Sequence, residues 1–238
     1  MAPITHLLLD IEGTTCPVSF VAETLFPYAR NHLAEYLERH RHEEPVRGLL
    51  DEAEQARAID PEARAIGVDL DSHAQLVAYL GWLIDQDRKL PPLKQLQGLI
   101  WECGYENGEL LAPLYSDVPP ALRAWAMAGV NLAVYSSGSV TAQQLLYGHT
   151  TEGDLRDLFG HWFDTRTGPK QAMDSYKLIA AEMEVDPNQT LFISDSIAEL
   201  EAAQSAGMKA LFSDRPGNPA RDNEGFARIT HFDQIVIN

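Results

Sequence analysis

Two acidic side chains near the start of the chain have the types and the spacing of a nucleophile and a proton donor. They are Asp10 and Glu12, and they follow the largely apolar run of residues 6–9. An apolar run that ends in an acid and then in Gly13 predicts a strand that is buried on both faces and ends at Asp10. Because ligands of parallel sheets bind beyond the carboxyl ends of the strands, we expect both acids at a reactive edge. The alternative interpretation is that Asp10 only caps a turn and that Glu12 is solvated.

A hydroxyl-rich segment, Ser136-Ser137-Gly138-Ser139, follows a second predicted strand and leads straight into a predicted helix. Hydroxyl groups and free backbone N–H groups at a helix N-terminus form a ready anion site. Ser136 and Ser137 are therefore candidate phosphate-binding residues. An ordinary helix N-cap would explain Ser139 well, but it would explain Ser136 poorly.

A loop lysine supplies the cation that such a site would need. Lys170 lies in the loop of residues 167–170, ahead of another predicted helix. A flexible ammonium at this point could neutralise both a phosphate and an aspartate. Taken alone, a lysine in a loop is more often a surface residue. Lys177 is the nearest competitor, but it falls within the predicted helix, where we expect it to face solvent.

A third acid follows a further apolar strand and indicates a metal. Asp195 comes directly after residues 191–194, so it and Asp10 would repel one another unless a cation lay between them. Mg²⁺ suits that position, since it takes oxygen ligands and commonly uses one or two carboxylates together with substrate phosphate. Glu199, one helical turn further, could orient the waters of the ion. Alternatively, Asp195 is only a helix N-cap.

Helical spacing dominates the segment between the first strand and the later ones. Residues 18–114 contain amphipathic helical patterns and no convincing buried strand. This connection far exceeds the roughly 10 to 12 residues that a crossover requires. The sequence therefore predicts an α/β fold, a Rossmann-like parallel sheet core with an inserted all-helical cap domain. The expected domains are residues 1–15 as core with the nucleophile loop, residues 16–116 as the helical cap, and residues 117–238 as the remaining core.

Strands and helices alternate after the predicted cap, which implies parallel βαβ units. The expected strands span residues 130–135, 162–164, 190–194 and 209–213, with an edge strand within 229–237. The expected helices span residues 121–128, 140–147, 175–183 and 197–206.

Charge and cysteine content narrow the function classes. The chain of 238 residues has 18 basic and 35 acidic side chains, a formal net charge of −17 that would repel phosphate backbones and anionic lipid heads. We therefore expect neither nucleic acid nor a membrane surface as a partner. Two cysteines do not make a disulfide framework, and no run approaches the ~20 apolar residues that span a bilayer. We expect a cytoplasmic monomer that acts on a small molecule.

The order of these groups along the chain resembles a known superfamily. An acid, a hydroxyl, a loop lysine and a second acid occur in that order, and this resembles the haloacid dehalogenase superfamily of aspartate-nucleophile phosphatases over the whole chain. That superfamily usually has a second aspartate where this chain has Glu12. The motif Asp10-Ile11-Glu12-Gly13-Thr14-Thr15 instead resembles the enolase-phosphatases of methionine salvage. Other stretches resemble that family too: 87–89, 93–98 with Trp101, 135–140, 148–154 and 215–218.

The resemblance implies a reaction and a cofactor. The substrate would be 2,3-diketo-5-methylthiopentyl-1-phosphate, which would be enolised and then dephosphorylated to the acireductone 1,2-dihydroxy-3-keto-5-methylthiopentene, with Mg²⁺ as cofactor. Asp10 would attack phosphorus and form an aspartyl-phosphate, while Glu12 would protonate the departing oxygen and later activate water. The Mg²⁺ ligands would be the Asp10 and Asp195 carboxylates and the Glu12 backbone carbonyl. The expected phosphate-binding residues are Ser136, Ser137 and Lys170.

The sequence does not identify the base for enolisation, and our hypothesis is an active-site carboxylate. The cap would exclude water and contact the methylthio end of the substrate. Trp101 and Tyr105 are candidates for that contact, although an aromatic residue on a helix is more often part of a core.

Three other functions stay open from the residues alone. A dehalogenase of the same fold would use Asp10, but cleavage of a carbon–halogen bond needs no acid at Glu12 and no metal. A Mg²⁺-dependent phosphatase for another small phosphorylated metabolite would differ only in the cap. A phospho-acceptor signalling domain also combines Asp, Ser or Thr, Lys and Mg²⁺, but it carries an acidic pair well before the acceptor and has no room for a long cap.

Overall fold

The structure of the protein is a computed structural model that describes residues 2–66 and 70–237. The backbone forms two compact units. The first unit contains residues Met1–Val21 and Leu111–Asn238, and the second contains residues Ala22–Leu110. Within the described residues, no helix is both long and apolar enough to cross a membrane.

The first unit is built on a parallel sheet. Its strands are β1 (His6–Leu9), β2 (Asn131–Tyr135), β3 (Phe159–Phe163), β4 (Thr190–Ser194), β5 (Lys209–Ser213) and β6 (Ala227–Ile229). They lie in the order β3-β2-β1-β4-β5-β6, and every neighbouring pair is parallel. The predicted α/β fold with a parallel sheet core is confirmed. Because β1 lies between β2 and β4, the residues that follow these three strands meet at the centre of one sheet edge.

Apolar side chains explain why these segments form buried strands. Leu7, Leu8 and Leu9 of β1 are fully buried, as are the centres of β2 and β4. Both faces of the sheet are covered, which is why the strands are continuously apolar rather than alternating.

The helices follow the expected periodicities. They are α1 (Val18–Phe20), α2 (Phe26–His40), α3 (Val46–Ile59), α4 (Ser72–Asp85), α5 (Pro91–Glu106), α6 (Val118–Met127), α7 (Val140–Gly148), α8 (Met173–Glu182) and α9 (Ile197–Ser205). A π-helical turn spans Val21–Leu25, and short 3₁₀ helices span Pro61–Ala65, Arg156–Leu158, Pro187–Gln189 and Phe232–Gln234.

The secondary structure of the second unit, in its described part, consists of helices joined by turns and loops. Helices α2 to α5 enclose their own apolar core, in which Leu33, Leu80 and Leu96 are almost completely buried. Described residues 22–66 and 70–110 contain no strand, as the spacing predicts. This unit therefore has its own hydrophobic core, which is what a separate domain requires.

The C-terminal tail differs from the predicted edge strand. Strand β6 ends at Ile229, and the chain then turns into the 3₁₀ helix Phe232–Gln234. The carboxamide oxygen of Gln234 accepts hydrogen bonds from the backbone N–H groups of Thr230 (2.8 Å) and His231 (3.2 Å). These bonds satisfy the donors that an extended strand would have presented to a neighbour, so the expectation of a strand beyond Ile229 was wrong.

Candidate active site

Asp10 lies at the centre of the sheet edge, directly after β1. The register pairs Leu9 with Ile193, and the N–H of Asp10 donates to the Ile193 carbonyl at 3.0 Å. This pairing sets Asp10 beside Ser194, whose hydroxyl donates to Asp10 Oδ2 at 3.1 Å. Asp10 Oδ1 also accepts from the N–H of Ile11 at 2.8 Å. The carboxylate is 6% exposed, so its orientation is fixed by hydrogen bonds in a largely dry setting.

Lys170 forms the strongest contact of the site. Its ammonium lies 2.7 Å from Asp10 Oδ1 and 2.8 Å from Glu199 Oε2, and the side chain is only 7% exposed. Burial alone would lower the pKa of Lys170, but the carboxylates of Asp10 and Glu199 together raise it above its usual value. The ammonium is therefore a permanent positive charge beside Asp10. The neighbouring candidate, Lys177, is exposed on α8 and pairs with Asp174.

Asp195 follows β4 and packs against the turn after β1. A Cβ added to Gly13, where φ is +70°, would fall 2.7 Å from Asp195 Oδ2, so only glycine permits this approach. Burial, and then the neighbouring charge of Asp10, raise the pKa of Asp195 to about 6. Asp195 does not cap α9, because Ser196 occupies the N-cap position.

The carboxylates of Asp10 and Asp195 fit a divalent cation with oxygen ligands. Both come from strand ends that are adjacent in the sheet, and burial and the charge of Asp10 destabilise the Asp195 anion although Arg221 and Lys170 oppose this effect. In residues 2–66 and 70–237 no group of three or more His, Cys, Asp or Glu side chains is arranged to hold a metal. Two carboxylates with backbone or water oxygens are nevertheless a donor set that hard cations use.

The turn that carries Glu12 is held by residues at the end of β5 and after it. Glu12 itself is exposed, and Gly13 donates its N–H to the Cys16 carbonyl at 2.8 Å. The Gly13 carbonyl accepts from Ser213 Oγ at 3.1 Å and from Asn218 Nδ2 at 2.9 Å. The segment after β5 thus fixes the backbone next to Glu12.

The serine segment lies one strand away from Asp10, at the end of β2. Ser136 is buried and donates its N–H to the Phe163 carbonyl, while its hydroxyl accepts from the N–H of Gly138 at 3.3 Å. Ser137 is exposed. Ser139 is the N-cap of α7, accepting from the N–H of Ala142 at 3.2 Å, so the cap interpretation holds for Ser139 and not for Ser136.

Three contacts of the site were not foreseen from the sequence. Glu199 contacts Lys170 directly, although we expected it to orient waters. The Ser194 hydroxyl joins the two carboxylates of Asp10 and Glu199, at 3.1 Å from each. Arg221 Nη1 donates to the Asp195 carbonyl oxygen at 2.8 Å and lies 3.3 Å from Oδ2. The sequence offers a signal for the first, since Glu199 lies in the first turn of the helix that follows Asp195.

Residues 4–207 match a family model described as haloacid dehalogenase-like hydrolase. The chain therefore belongs to this family of hydrolases, the class that its parallel sheet and its strand-end carboxylates indicate.

Curated relatives within this family have a name that is more specific than the family description. The chain is 55% identical over 214 residues to Enolase-phosphatase E1 of Synechococcus sp. strain RCC307, covering 90% of this chain and 86% of that protein. It is 51% identical to Enolase-phosphatase E1 of Thioalkalivibrio sulfidiphilus, and the match covers 89% of this chain and 90% of that protein. A third Enolase-phosphatase E1, from Synechococcus sp. strain WH7803, is 46% identical, with 98% and 100% covered.

Solved structures have the same fold. UTR4 protein (Unknown transcript 4 protein) from Saccharomyces cerevisiae matches with a TM-score of 0.79 at 35% identity, covering 98% of this chain and 100% of that one. CbbY from Rhodobacter sphaeroides matches with a TM-score of 0.61 at 20% identity, covering 96% and 95%, a likeness of fold alone.

Proposed function

We propose that this chain is an enolase-phosphatase of methionine salvage that converts 2,3-diketo-5-methylthiopentyl-1-phosphate to the acireductone 1,2-dihydroxy-3-keto-5-methylthiopentene and phosphate. Relatives that are 46–55% identical over most of the chain have the name Enolase-phosphatase E1. The structural observation that supports the proposal most is the buried ammonium of Lys170 against Asp10. Family membership argues against a phospho-acceptor signalling domain.

Each of the proposed site residues has a role in the phosphatase reaction. Asp10 Oδ attacks phosphorus, forming an aspartyl-phosphate as the bond from phosphorus to the substrate oxygen breaks. Glu12 gives a proton to that departing oxygen and then takes one from the water that hydrolyses the intermediate. Lys170 stays charged throughout, so it balances the charge that develops on the phosphoryl oxygens. Ser136 and Ser137 hold those oxygens by hydrogen bonds.

The proposed metal is Mg²⁺. Its ligands would be the carboxylates of Asp10 and Asp195 and the backbone carbonyl of Glu12. When bound, Mg²⁺ supplies a Lewis acid that neutralises phosphoryl charge.

Enolisation requires a base next to a ketone, and we propose that an active-site carboxylate takes this proton. We further propose that the helical unit acts as a cap, with the boundaries 16–116 expected from the sequence, and that it recognises the methylthio end. Trp101 and Tyr105 are the candidates. Tyr105 is buried and Trp101 is half-buried, so Trp101 keeps more accessible ring surface for a ligand. The Trp101 indole N–H donates to the Leu25 carbonyl at 2.8 Å. The enzyme would act as a monomer in the cytoplasm.

Replacing the nucleophile tests the reaction type. Asp10→Asn is expected to abolish phosphate release, because an amide does not attack phosphorus, while calorimetry still detects substrate binding. Asp174→Asn, which makes the same chemical change at an exposed position on α8, should keep wild-type turnover. Phosphate release by Asp10→Asn would reject Asp10 as nucleophile.

A substrate panel tests the proposed specificity. The wild-type protein should turn over the diketo phosphate with a kcat/KM far above that for glycolate or sugar phosphates. Equal or better turnover of another metabolite would assign the protein to that phosphate instead.

A further inference from the structure

The loop that carries Lys170 is held by an unusual set of hydrogen bonds. Three consecutive carbonyl groups each accept a hydrogen bond from a side-chain hydroxyl. Tyr135 donates to the Gly168 carbonyl at 2.9 Å. Ser175 donates to the Pro169 carbonyl at 2.8 Å, and Tyr176 donates to the Lys170 carbonyl at 2.7 Å. The donors come from the end of β2 and the start of α8, so the loop is fixed from two elements.

These three donors are buried. Tyr135 and Tyr176 are 0% exposed, and Ser175 is 2% exposed. Burial raises the pKa of both phenols, so each remains protonated and able to donate. A buried hydroxyl that loses its acceptor finds no water to take the acceptor's place. Breaking any of these three hydrogen bonds is therefore energetically unfavourable.

The loop backbone is shaped to accept these bonds. Gly168 has φ of +151°, and a Cβ added there would fall 2.2 Å from Ser175 Oγ. A side chain at position 168 would therefore expel the Ser175 hydroxyl from the loop. The Pro169 carbonyl also accepts a bond from the N–H of Ala172 at 3.0 Å, so this carbonyl is held by two donors.

The same tyrosines also contact the lysine head group or one another. Lys170 Nζ lies 5.7 Å from the centroid of the Tyr135 ring, within the range of a cation–π contact. The rings of Tyr135 and Tyr176 meet edge to face, with centroids 5.5 Å apart at 80°. Both the backbone and the ammonium of Lys170 are thus located by one pair of aromatic side chains.

We propose that Tyr135, Ser175 and Tyr176 form a hydroxyl cradle that positions Lys170 for phosphoryl transfer, an inference that rests on the proposed function. A lysine side chain is a flexible four-carbon stem, and its ammonium must lie between Asp10 and Glu199 to balance charge at the phosphoryl group. Fixing the three carbonyls fixes the base of the stem. None of the three hydroxyl groups needs to touch substrate for this role, so they are positioning residues.

Removing the hydroxyl groups without the rings tests the cradle. Tyr135→Phe and Tyr176→Phe should each lower kcat roughly tenfold and the double variant roughly a hundredfold, as expected when a catalytic group is misplaced by about 1 Å. KM should change much less than kcat, because a displaced ammonium loses most where the phosphoryl charge is largest.

Tyr79→Phe is the matched control for loss of a buried phenol. Tyr79 is 2% exposed and donates to Asp60 Oδ2 at 3.0 Å within the helical unit. This variant should lose stability, measured as Tm, without losing kcat. If kcat falls by the same factor in Tyr79→Phe at an equal drop in Tm, the cradle is only structural and the proposal is overturned.

Two further outcomes test the hydroxyl cradle. Folded Tyr135→Phe and Tyr176→Phe proteins with kcat within about twofold of wild type would overturn the cradle. If the tyrosine variants do not fold, Ser175→Ala decides: a fall in kcat at unchanged Tm supports the cradle, and unchanged kcat rejects it.

The proposed function is judged separately, by turnover of the diketo phosphate by the wild-type protein. The cradle is judged by ratios between variant and wild type, which are also measured with p-nitrophenyl phosphate. A protein that hydrolyses only the latter would therefore fail the first test and could still pass the second.

Discussion

Glu12 occupies an exposed position on a turn whose neighbouring backbone is fixed by Ser213 and Asn218. This combination suits an acid that must reach a departing oxygen and then exchange its proton with water. Glu12→Gln should lower kcat for the diketo phosphate by about 10² to 10⁴, the range of general acid catalysis. With p-nitrophenyl phosphate, whose leaving group needs no proton, formation of the aspartyl-phosphate should fall much less in a stopped-flow burst. Equal losses with both substrates would contradict the role of Glu12 as leaving-group acid.

The positions of the candidate site residues in the fold could be predicted because each follows a strand end. Asp10, Ser136 and Asp195 come directly after β1, β2 and β4, and parallel strands bring their carboxyl ends to one edge. The hydroxyl cradle could not be predicted. Tyr135 looks like an ordinary apolar strand residue, and its bond to the Gly168 carbonyl joins positions 33 residues apart. Only the folded backbone reveals such a partner.

Arg215 connects the turn after β1 to two other segments. Its Nε donates to the Thr14 carbonyl at 3.0 Å, and its Nη1 donates to Asp117 Oδ2 at 2.7 Å. The guanidinium lies between the rings of Tyr115 and Phe232, 4.8 and 4.4 Å from their centroids. The charge is buried and paired, so the loss of its partner should cost more than the loss of a surface ion pair.

Asp117→Asn tests this connection through its pH dependence. Burial alone would raise the pKa of Asp117, but the N–H of Phe232 and the Arg215 guanidinium hold the pKa below its usual value. A carboxyl whose folded pKa is depressed stabilises the fold above the unfolded pKa of about 4, and this stabilisation is lost as the pH falls through the folded pKa. We expect Asp117→Asn to lower the free energy of unfolding by about 2 kcal/mol at pH 7 and by much less near pH 3.

The measurement is urea denaturation at both pH values, with Asp174→Asn as the control. Asp174 is exposed and forms only a surface ion pair, so its variant should match wild type at either pH. A deficit of Asp117→Asn that stays constant or grows toward pH 3 would contradict the assigned charge pairing.

Helix α5 offers a matched pair of glycines. A Cβ at Gly98 meets no atom within 4 Å, whereas a Cβ at Gly104 would fall 2.7 Å from the Tyr28 ring and 2.8 Å from Leu110 Cδ1. Gly98→Ala should raise the free energy of unfolding by about 0.5 to 1 kcal/mol, because alanine favours the helix. Gly104→Ala should lower it by about 1 to 3 kcal/mol through overpacking. Denaturant unfolding checks both, and changes of the same sign would contradict the packing of this helix.

Elements whose apolar residues recur at regular helix or strand spacing could be predicted, and elements without such spacing could not. The expected helix at residues 140–147 matches α7, and the expected strand at 190–194 matches β4. Strand β3 begins three residues before the extended segment expected at 162–164, because Gly160 and His161 interrupt its apolar pattern and its pairing with β2 is irregular. The end of the tail depends on side-chain bonds of Gln234, which no periodicity encodes.

The molecule as a whole carries a formal charge of −17, which draws cations toward it. At the candidate site, the buried ammonium of Lys170 lies against the carboxylates of Asp10 and Glu199. If a divalent ion occupies the Asp10 and Asp195 carboxylates, it stabilises the folded state by mass action. Mg²⁺ at a hundred times its Kd should add about 2.7 kcal/mol, a rise in Tm of several degrees for a chain of this length. EDTA should reverse the rise.

Two variants show whether the Mg²⁺-dependent rise in Tm comes from binding at the proposed site. Asp195→Asn should lose most of the Mg²⁺-dependent rise in Tm, while Asp174→Asn should keep it. A rise that persists in Asp195→Asn would locate the stabilising ion elsewhere.

More than eighty consecutive residues have helical spacing, and a single crossover between two strands needs far fewer. This accounts for the division into a sheet unit and a helical unit. The predicted cap boundaries at residues 16 and 116 stay a prediction. Periodicity locates helices, whereas a domain boundary depends on which side chains pack together.

The most direct measurement follows the two products in time, with the purified protein, Mg²⁺ and 2,3-diketo-5-methylthiopentyl-1-phosphate. The account predicts that an enediol absorbance appears before or together with free phosphate in the wild-type protein, and that Asp10→Asn releases no phosphate. Release of phosphate without any enediol absorbance, or steady release by Asp10→Asn, would contradict it.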